Sequence, residues 1–190
     1  MIDTDLSPFI VAAANDAGAT RVIPIDPTGI RYYTEVRRLC ERNACGVLGK
    51  NWQCPPYVGS VADTSSRAKR FACGVVVQSV GALEDSYDIE GMGREQKAHQ
   101  DRLRAVGKRL RTEHRDVPFL LLGAGPCDVC PRCTVLDNEP CRFPDRIMPF
   151  STMDRILGFD HDWLSCPSCR QNTRALPNVC VQPTIFICLG

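Results

Sequence analysis

The sequence lacks an excess of charge of either sign. Of its 190 residues, 23 are basic and 22 are acidic, which gives a formal net charge of +1. Proteins that bind nucleic acid through bulk positive charge carry a clear basic excess, so we expect no nucleic-acid partner. The hydrophobic content of 44% and the charged content of 24% lie near the globular average, which argues against a disordered chain.

Long apolar runs are also lacking. A membrane-spanning helix needs about 18 or more apolar residues in succession, whereas the longest apolar runs here, near 119–125 and 184–189, have the length of a strand. Residues 1–6 include two aspartates and no basic residue, unlike a secretory signal peptide. We therefore expect a cytoplasmic protein with no membrane partner.

Cysteine, by contrast, is abundant, with 12 residues in the chain. A chain of this length buries enough core to fold without disulfides. In a reducing compartment thiols stay reduced, and a thiol-rich protein there more often binds metal or performs redox chemistry. One cysteine, Cys73, stands alone, and the others form three groups: Cys40, Cys45 and Cys54; Cys127, Cys130, Cys133 and Cys141; and Cys166, Cys169, Cys180 and Cys188.

Helix-like and strand-like segments alternate along the chain. This pattern predicts an α/β fold, a single compact domain whose mixed β-sheet is flanked by helices and carries cysteine-rich metal-binding loops. We expect residues 1–160 to form the cluster-binding domain and residues 161–190 to pack on it as a cysteine-containing tail. The predicted helices are 9–17, 33–42, 61–71, 92–114 and 151–157, and the predicted strands are 21–25, 74–80, 119–122 and 183–189.

The second cysteine group gives the strongest functional signal. Cys127, Cys130 and Cys133 form a C-x2-C-x2-C run, which can place three thiolates on neighbouring corners of one [4Fe–4S] cube, as in bacterial ferredoxins. Cys141 follows after seven intervening residues instead of three, so it binds either the same cluster or another. Structural zinc usually uses two separated C-x2-C pairs. Zinc and redox-active thiols are the alternatives.

The first cysteine group lies at the end of a predicted helix and in a loop rich in glycine and proline: Cys40, Cys45 and Cys54. We interpret all three as cluster ligands, with Gly46 and Gly49 letting backbone amides approach the cluster. Three thiolates leave one corner of a cube for water, a small ligand or a more distant thiolate. Cys73 begins a β-prone run, and we expect it to be a core residue and not that thiolate.

Other residues near these groups have two interpretations each. Trp52 either shields a cluster from solvent or packs the loop. Arg132, Arg142 and Arg146 either offset the negative charge of a thiolate-bound cluster or are solvated. The C-terminal cysteines form either a third metal site or a structural set, and we favour the structural set, with Cys180 among turn residues. We expect the histidines of the predicted helix 92–114, His99 and His114, at the surface.

Taken together, the first two groups resemble the cysteine-rich family of predicted metal-binding proteins, a domain of unknown function found in anaerobic bacteria and archaea. The similarity extends over residues 21–160 and depends on two motifs. They are C-x4-C-G-x2-G-x2-W-Q-C-P-P from Cys40 to Pro56, and G-A-G-P-C-x2-C-x2-C with P-C-R-x-P from Gly123 to Pro144. The resemblance implies a cluster-binding α/β domain and no particular reaction.

Three functions therefore compete. The first is electron transfer, or a reductase component of anaerobic metabolism, with one or two [4Fe–4S] clusters per chain and a redox partner protein or small-molecule substrate. The second is a non-redox enzyme in which an open iron acts as a Lewis acid. The third is a zinc-binding structural module. The sequence decides neither whether the chain is an enzyme nor its oligomeric state.

Overall fold

Four α-helices and four strands make up the part of the fold that the structure describes. The computed structural model describes residues 5–30, 32–43, 45–85, 87–122, 126–127, 129–144 and 179–188. The helices are α1 (Ser7–Asp16), α2 (Thr34–Glu41), α3 (Val61–Ala68) and α4 (Ile89–Glu113). The strands are β1 (Arg21–Ile25), β2 (Cys73–Ala82), β3 (Phe119–Leu122) and β4 (Val179–Cys188). The predicted combination of helices with a sheet is confirmed.

The strands form one sheet in the order β1-β2-β4-β3. Each of the three strand pairings described is antiparallel, whereas we expected a mixed sheet. The difference has a topological cause. Strands β2 and β3 run in the same direction and are connected through α4, as in a split β-α-β unit, but β4 lies between them and runs against both.

Alternating side chains of β2 and β3 build a core on each face of the sheet. On one face, Val75 and Val77 of β2 pack with α1 and α4. On the other face, Val76 packs with Leu120, Leu122 and Ala68 of α3. Because both faces are covered, β2 is a nearly continuous hydrophobic run, as expected for a strand buried on both sides. The loop that enters α3 and the loop that leaves β3 carry the first two cysteine groups.

Helix α4 covers the sheet with a single apolar stripe. Leu103, Val106 and Leu110 are each 1% exposed, and they recur at the three- and four-residue steps of an amphipathic helix. His99 lies one turn before Leu103 on the same stripe and is only 2% exposed. Its Nδ1 lies 2.8 Å from Ser79 Oγ of β2. The predicted surface position of His99 is therefore wrong.

The C-terminal strand begins earlier than expected. Cys180, predicted to lie among turn residues, lies in β4 opposite Gly81 of β2, and the turn prediction is wrong because pairing with the long strand β2 continues past the β-prone residues. The predicted helix 151–157 falls outside the described residues, as do Cys166 and Cys169. None of the described helices has the length and apolar character needed to cross a membrane.

Candidate metal centre

The first cysteine group lies on both sides of the turn that follows α2. Cys40 is in the last turn of α2 and is partly buried, and Cys45 is exposed. Cys54 is 5% exposed, a few residues before the start of α3. A capping box between Ser60 and Asp63 fixes that start, because the two side chains and backbone amides satisfy each other's hydrogen bonds. The 42–60 loop is thus fixed at both ends.

Two glycines give this loop its shape. Gly46 and Gly49 have φ angles of +74° and +69°, in the left-handed region that favours glycine. The Gly46 amide donates to the carbonyl of Asn43 at 3.0 Å, and the Gly49 amide donates to the carbonyl of Pro55 at 2.8 Å. The N–H groups of the two glycines therefore bond within the loop. That the glycines let other backbone amides approach a cluster stays a prediction.

The second cysteine group surrounds a common cavity. Cys133 caps the 3₁₀ helix Thr134–Asp137, and Asn138 reverses the chain with a φ of +54°. Thr134 Oγ1 then donates to the carbonyl of Pro140 at 2.9 Å, which brings the following cysteine back to the run. As a result, one cavity is lined by all four cysteines of the group: Cys127, Cys130, Cys133 and Cys141. Cys141 therefore belongs with the C-x2-C-x2-C run despite its longer spacing.

Backbone amides donate to two of these sulfur atoms. The Phe143 amide donates to Cys141 Sγ at 3.4 Å, and the Val129 amide donates to the sulfur of Cys127. Each amide belongs to the residue two positions after its cysteine. Hydrogen bonds of this kind stabilise the thiolate form and tune the potential of an iron–sulfur cluster. The chain around the cavity thus supplies one amide donor to each of these two sulfur atoms.

Two side chains join the first loop to the second. Asn51 Nδ2 donates to the carbonyl of Cys127 at 2.8 Å, and Trp52 Nε1 donates to Thr134 Oγ1 at 3.2 Å. The two cysteine groups are therefore neighbours in the fold. Sequence reasoning missed Asn51 and Thr134. Asn51 is three positions before the candidate ligand Cys54, and Thr134 directly follows Cys133. A polar residue so close to a candidate ligand is the sequence signal that could have indicated them.

The thiols of both groups influence one another electrostatically. Burial, above all, raises the pKa of Cys54 to about 11, and Cys45 and Cys40 of its own group and Cys127 and Cys133 of the second group add to the increase. Burial also raises the pKa of Cys127, against the effect of the Val129 amide. Like charges so close together disfavour simultaneous ionisation. Several thiolates can coexist here only when a cation compensates them, as a bound metal does.

The charged neighbours of the second group have separate roles. Arg132 forms an ion pair with Asp137 at 2.9 Å, at the surface, so its charge is already partnered by a carboxylate. Arg142 is exposed, and Arg146 lies outside the described residues.

Trp52 lines the cavity of the second group and also donates to Thr134. It therefore both borders the cavity and packs the loop.

Cys73 lies apart from these two loops. It is 9% exposed, within the core beneath α1 and α4, and it is disulfide-bonded. The prediction that Cys73 is a core residue is confirmed, whereas the expectation that all thiols are reduced is not. The cysteines of the first two groups are not disulfide-bonded. Within the described part of the chain, no three His, Cys, Asp or Glu side chains are arranged to hold a single metal ion directly.

Fold and site together define an α/β protein with two neighbouring thiol-rich loops, and soft thiolate donors of this kind select zinc, copper(I) or iron–sulfur clusters. The family model "Predicted metal-binding protein (DUF2284)" matches residues 23–152, a range that includes both loops. The chain therefore belongs to the DUF2284 family of predicted metal-binding proteins. No curated protein and no solved structure matches the chain significantly.

Proposed function

We propose that this chain binds a [4Fe–4S] cluster through the 127–141 loop and uses it for electron transfer, as a carrier or a reductase component. The observation that carries the proposal is the cavity lined by Cys127, Cys130, Cys133 and Cys141. Four thiolates are the usual ligand set of such a cluster, and the first three have the ferredoxin spacing. When bound, the cluster supplies a one-electron redox couple.

The residues around the cavity support a redox role. The amides of Val129 and Phe143 donate to sulfur, which favours the thiolate form and the more reduced, more negative state of a ligated centre. Trp52 and Phe143 both line the cavity, so aromatic rings limit its contact with water. Phe143 is also 39% exposed. Its ring thus lies between the cavity and the surface where a redox partner or small substrate would approach.

The first cysteine group supports an alternative function. It offers three thiols, Cys40, Cys45 and Cys54. Cys54 lies close enough to the second group for the charges of Cys127 and Cys133 to affect it, beside those of Cys40 and Cys45. A cube held by three thiolates has one iron available to substrate, which can act as a Lewis acid without redox change. In that case the chain would be an enzyme with a second cluster beside the first. A zinc-binding structural module is the third alternative.

An anaerobic redox titration followed by electron paramagnetic resonance tests the proposal. We expect reversible one-electron reduction with a cluster signal that Cys130→Ser abolishes and that Cys45→Ser leaves in place. Adding cyanide or a candidate substrate to the wild type separates the alternatives, because only a cluster with an open iron changes its spectrum. A protein that contains stoichiometric zinc and shows no redox signal would contradict both iron–sulfur functions.

A further inference from the structure

Cys73 is disulfide-bonded, and the sheet register bears on which cysteine is its partner. The seven cysteines of the first two groups are not disulfide-bonded, whereas Cys73 is. The cysteines that are left all belong to the C-terminal group: Cys166, Cys169, Cys180 and Cys188. Two of these lie in β4, which pairs with β2 along its whole length.

Only one of the two is close to Cys73 along the sheet. Cys188 is the direct partner of Cys73 in the β2–β4 register, and Cys180 is opposite Gly81 at the other end of the strand. Residues directly opposite in an antiparallel pair have Cα atoms about 4.5 to 5.5 Å apart, which is within the range that a disulfide requires. Gly81 lies eight residues along β2 from Cys73, which is about 27 Å in a strand. Cys180, opposite Gly81, is therefore too far from Cys73 to bond to it.

We propose that Cys73 and Cys188 form a disulfide that locks β4 into the centre of the sheet, and that thiols open this bond from the cleft beside Cys73. Strand β4 pairs with both β2 and β3, so it is the strand that closes the sheet. It also lies beyond residues 23–152, the range of the family match. The lock thus fixes an added segment to the family domain, independently of any metal.

The cleft makes the bond accessible to reagents despite its burial. Cys73 lines an open cleft of about 510 Å³ together with Asp5, Asp26 and Ile25. Asp5 accepts a hydrogen bond from the Ser7 amide at 2.8 Å, and Asp26 accepts from the Thr28 amide at 2.8 Å. Both carboxylates are therefore held at the cleft. They attract a cationic thiol and repel an anionic one.

The opening reaction is ordinary thiol–disulfide exchange. A thiolate attacks one sulfur of the Cys73–Cys188 bond, a mixed disulfide forms, and the other cysteine leaves as a thiolate that takes up a proton. A second thiol then releases the remaining cysteine and becomes the other half of a small-molecule disulfide. Two electrons and two protons pass in total to the two cysteines. Strand β4 is then held by hydrogen bonds and packing alone, so it opens more often.

Peptide mapping of the full chain, purified anaerobically without reductant and alkylated before digestion, tests the linkage. We expect a peptide pair joining Cys73 to Cys188 in the wild type and in the control Cys180→Ser. Cys188→Ser should leave Cys73 open to alkylation even if Cys73→Ser fails to fold. A Cys73 that is alkylated in the wild type, or joined to another cysteine, would overturn the proposal.

Hydrogen exchange and a pair of charged thiols test the lock and its cleft. Opening the bond should speed amide exchange in β4 and in the paired residues of β2 by about tenfold or more, with α4 much less affected. The cationic thiol cysteamine should open the bond faster than the anionic thioglycolate, and Asp26→Asn should bring the ratio of the two rates closer to one. Unchanged exchange after reduction would refute the lock, and an unchanged rate ratio in Asp26→Asn would refute access through this cleft.

Discussion

The helix-covered sheet and the cysteine loops are stabilised by different interactions. The sheet has apolar side chains packed on both faces, and hydrocarbon burial of this kind is the main source of folding free energy. The loops have few buried apolar groups. They depend on hydrogen bonds such as those of Asn51 and Trp52 and on thiols whose mutual repulsion a metal relieves. We infer that the sheet can fold before the metal binds, whereas the loops are completed by it.

Substituting a cavity cysteine gives the largest expected effect and separates the two regions. Cys130→Ser should cost the chain about four irons and the matching sulfide, since one cube loses a ligand. Far-ultraviolet circular dichroism should stay close to that of the wild type, because the sheet and α4 do not depend on the cluster. Iron and sulfide analysis with circular dichroism measures both regions in one sample.

Cys180→Ser provides the matched control, since it makes the same chemical change in β4, away from the cavity. It should retain the wild-type iron and sulfide content. Loss of helical and sheet signal in Cys130→Ser, but not in Cys180→Ser, would show that the sheet itself needs the metal. Our comparison between the two regions would then be wrong.

A core substitution should do the reverse. Leu103→Ala removes a side chain that is 1% exposed under the sheet, and such truncations cost about 2 to 5 kcal/mol because they remove contacts and leave a cavity. The metal content per folded chain should not change. Urea unfolding of the loaded protein measures the lost stability. A Lys108→Ala variant, at an exposed position of the same helix, should cost less, and an equal loss in both would argue against this packing.

Acid should weaken the sheet through His99. Burial, with a smaller contribution from Arg102, lowers the pKa of His99 from 6.5 to about 4. Between these pH values the unfolded chain binds a proton that the folded chain does not, so stability is full above about pH 6.5 and falls as the pH approaches 4. The loss should amount to about 3 kcal/mol.

The measurement is urea unfolding of wild type and His99→Gln from pH 7 to pH 4.5. The two curves should converge as the pH falls, because the glutamine variant does not titrate at this position. If both proteins lose stability in parallel, His99 is not the group responsible.

Weakening one contact between the loops should have the smallest effect. Trp52→Phe keeps an aromatic ring but removes the N–H donor to Thr134 Oγ1, which is worth about 1 kcal/mol. We expect the cluster to form and then to be lost to a chelator a few-fold faster than in the wild type. Tyr57→Phe, next to Trp52, is the control and should keep the wild-type rate. Equal rates in Trp52→Phe and wild type would show that this bond does not hold the loops together.

Much of the fold was predictable because it has local causes. Strands β1 and β3 were predicted with the bounds that the structure shows, since each alternates or is bounded by turn residues. The place of β4 between β2 and β3 was not predictable, because strand order depends on contacts between residues far apart in the chain. His99 was misjudged because α4 is highly charged. Its spacing of four and seven residues from Leu103 and Val106 would have placed it on the buried stripe.

The site was predictable as a set of cysteines but not as an arrangement. Spacing selected seven candidate cysteines, and no spacing rule places Cys141 with the C-x2-C-x2-C run. That placement depends on the turn at Asn138 and on the bond from Thr134 to Pro140. The acceptors of the Gly46 and Gly49 amides were not predictable for a related reason, since a glycine pattern indicates backbone freedom without indicating which acceptor each amide meets.

Iron and acid-labile sulfide analysis of anaerobically purified protein tests the central claim most directly, after expression with ample iron. The proposed cluster predicts about four irons per chain with an equal amount of sulfide, and about eight of each if the first cysteine group also holds a cube. One zinc per chain without sulfide would contradict the iron–sulfur function.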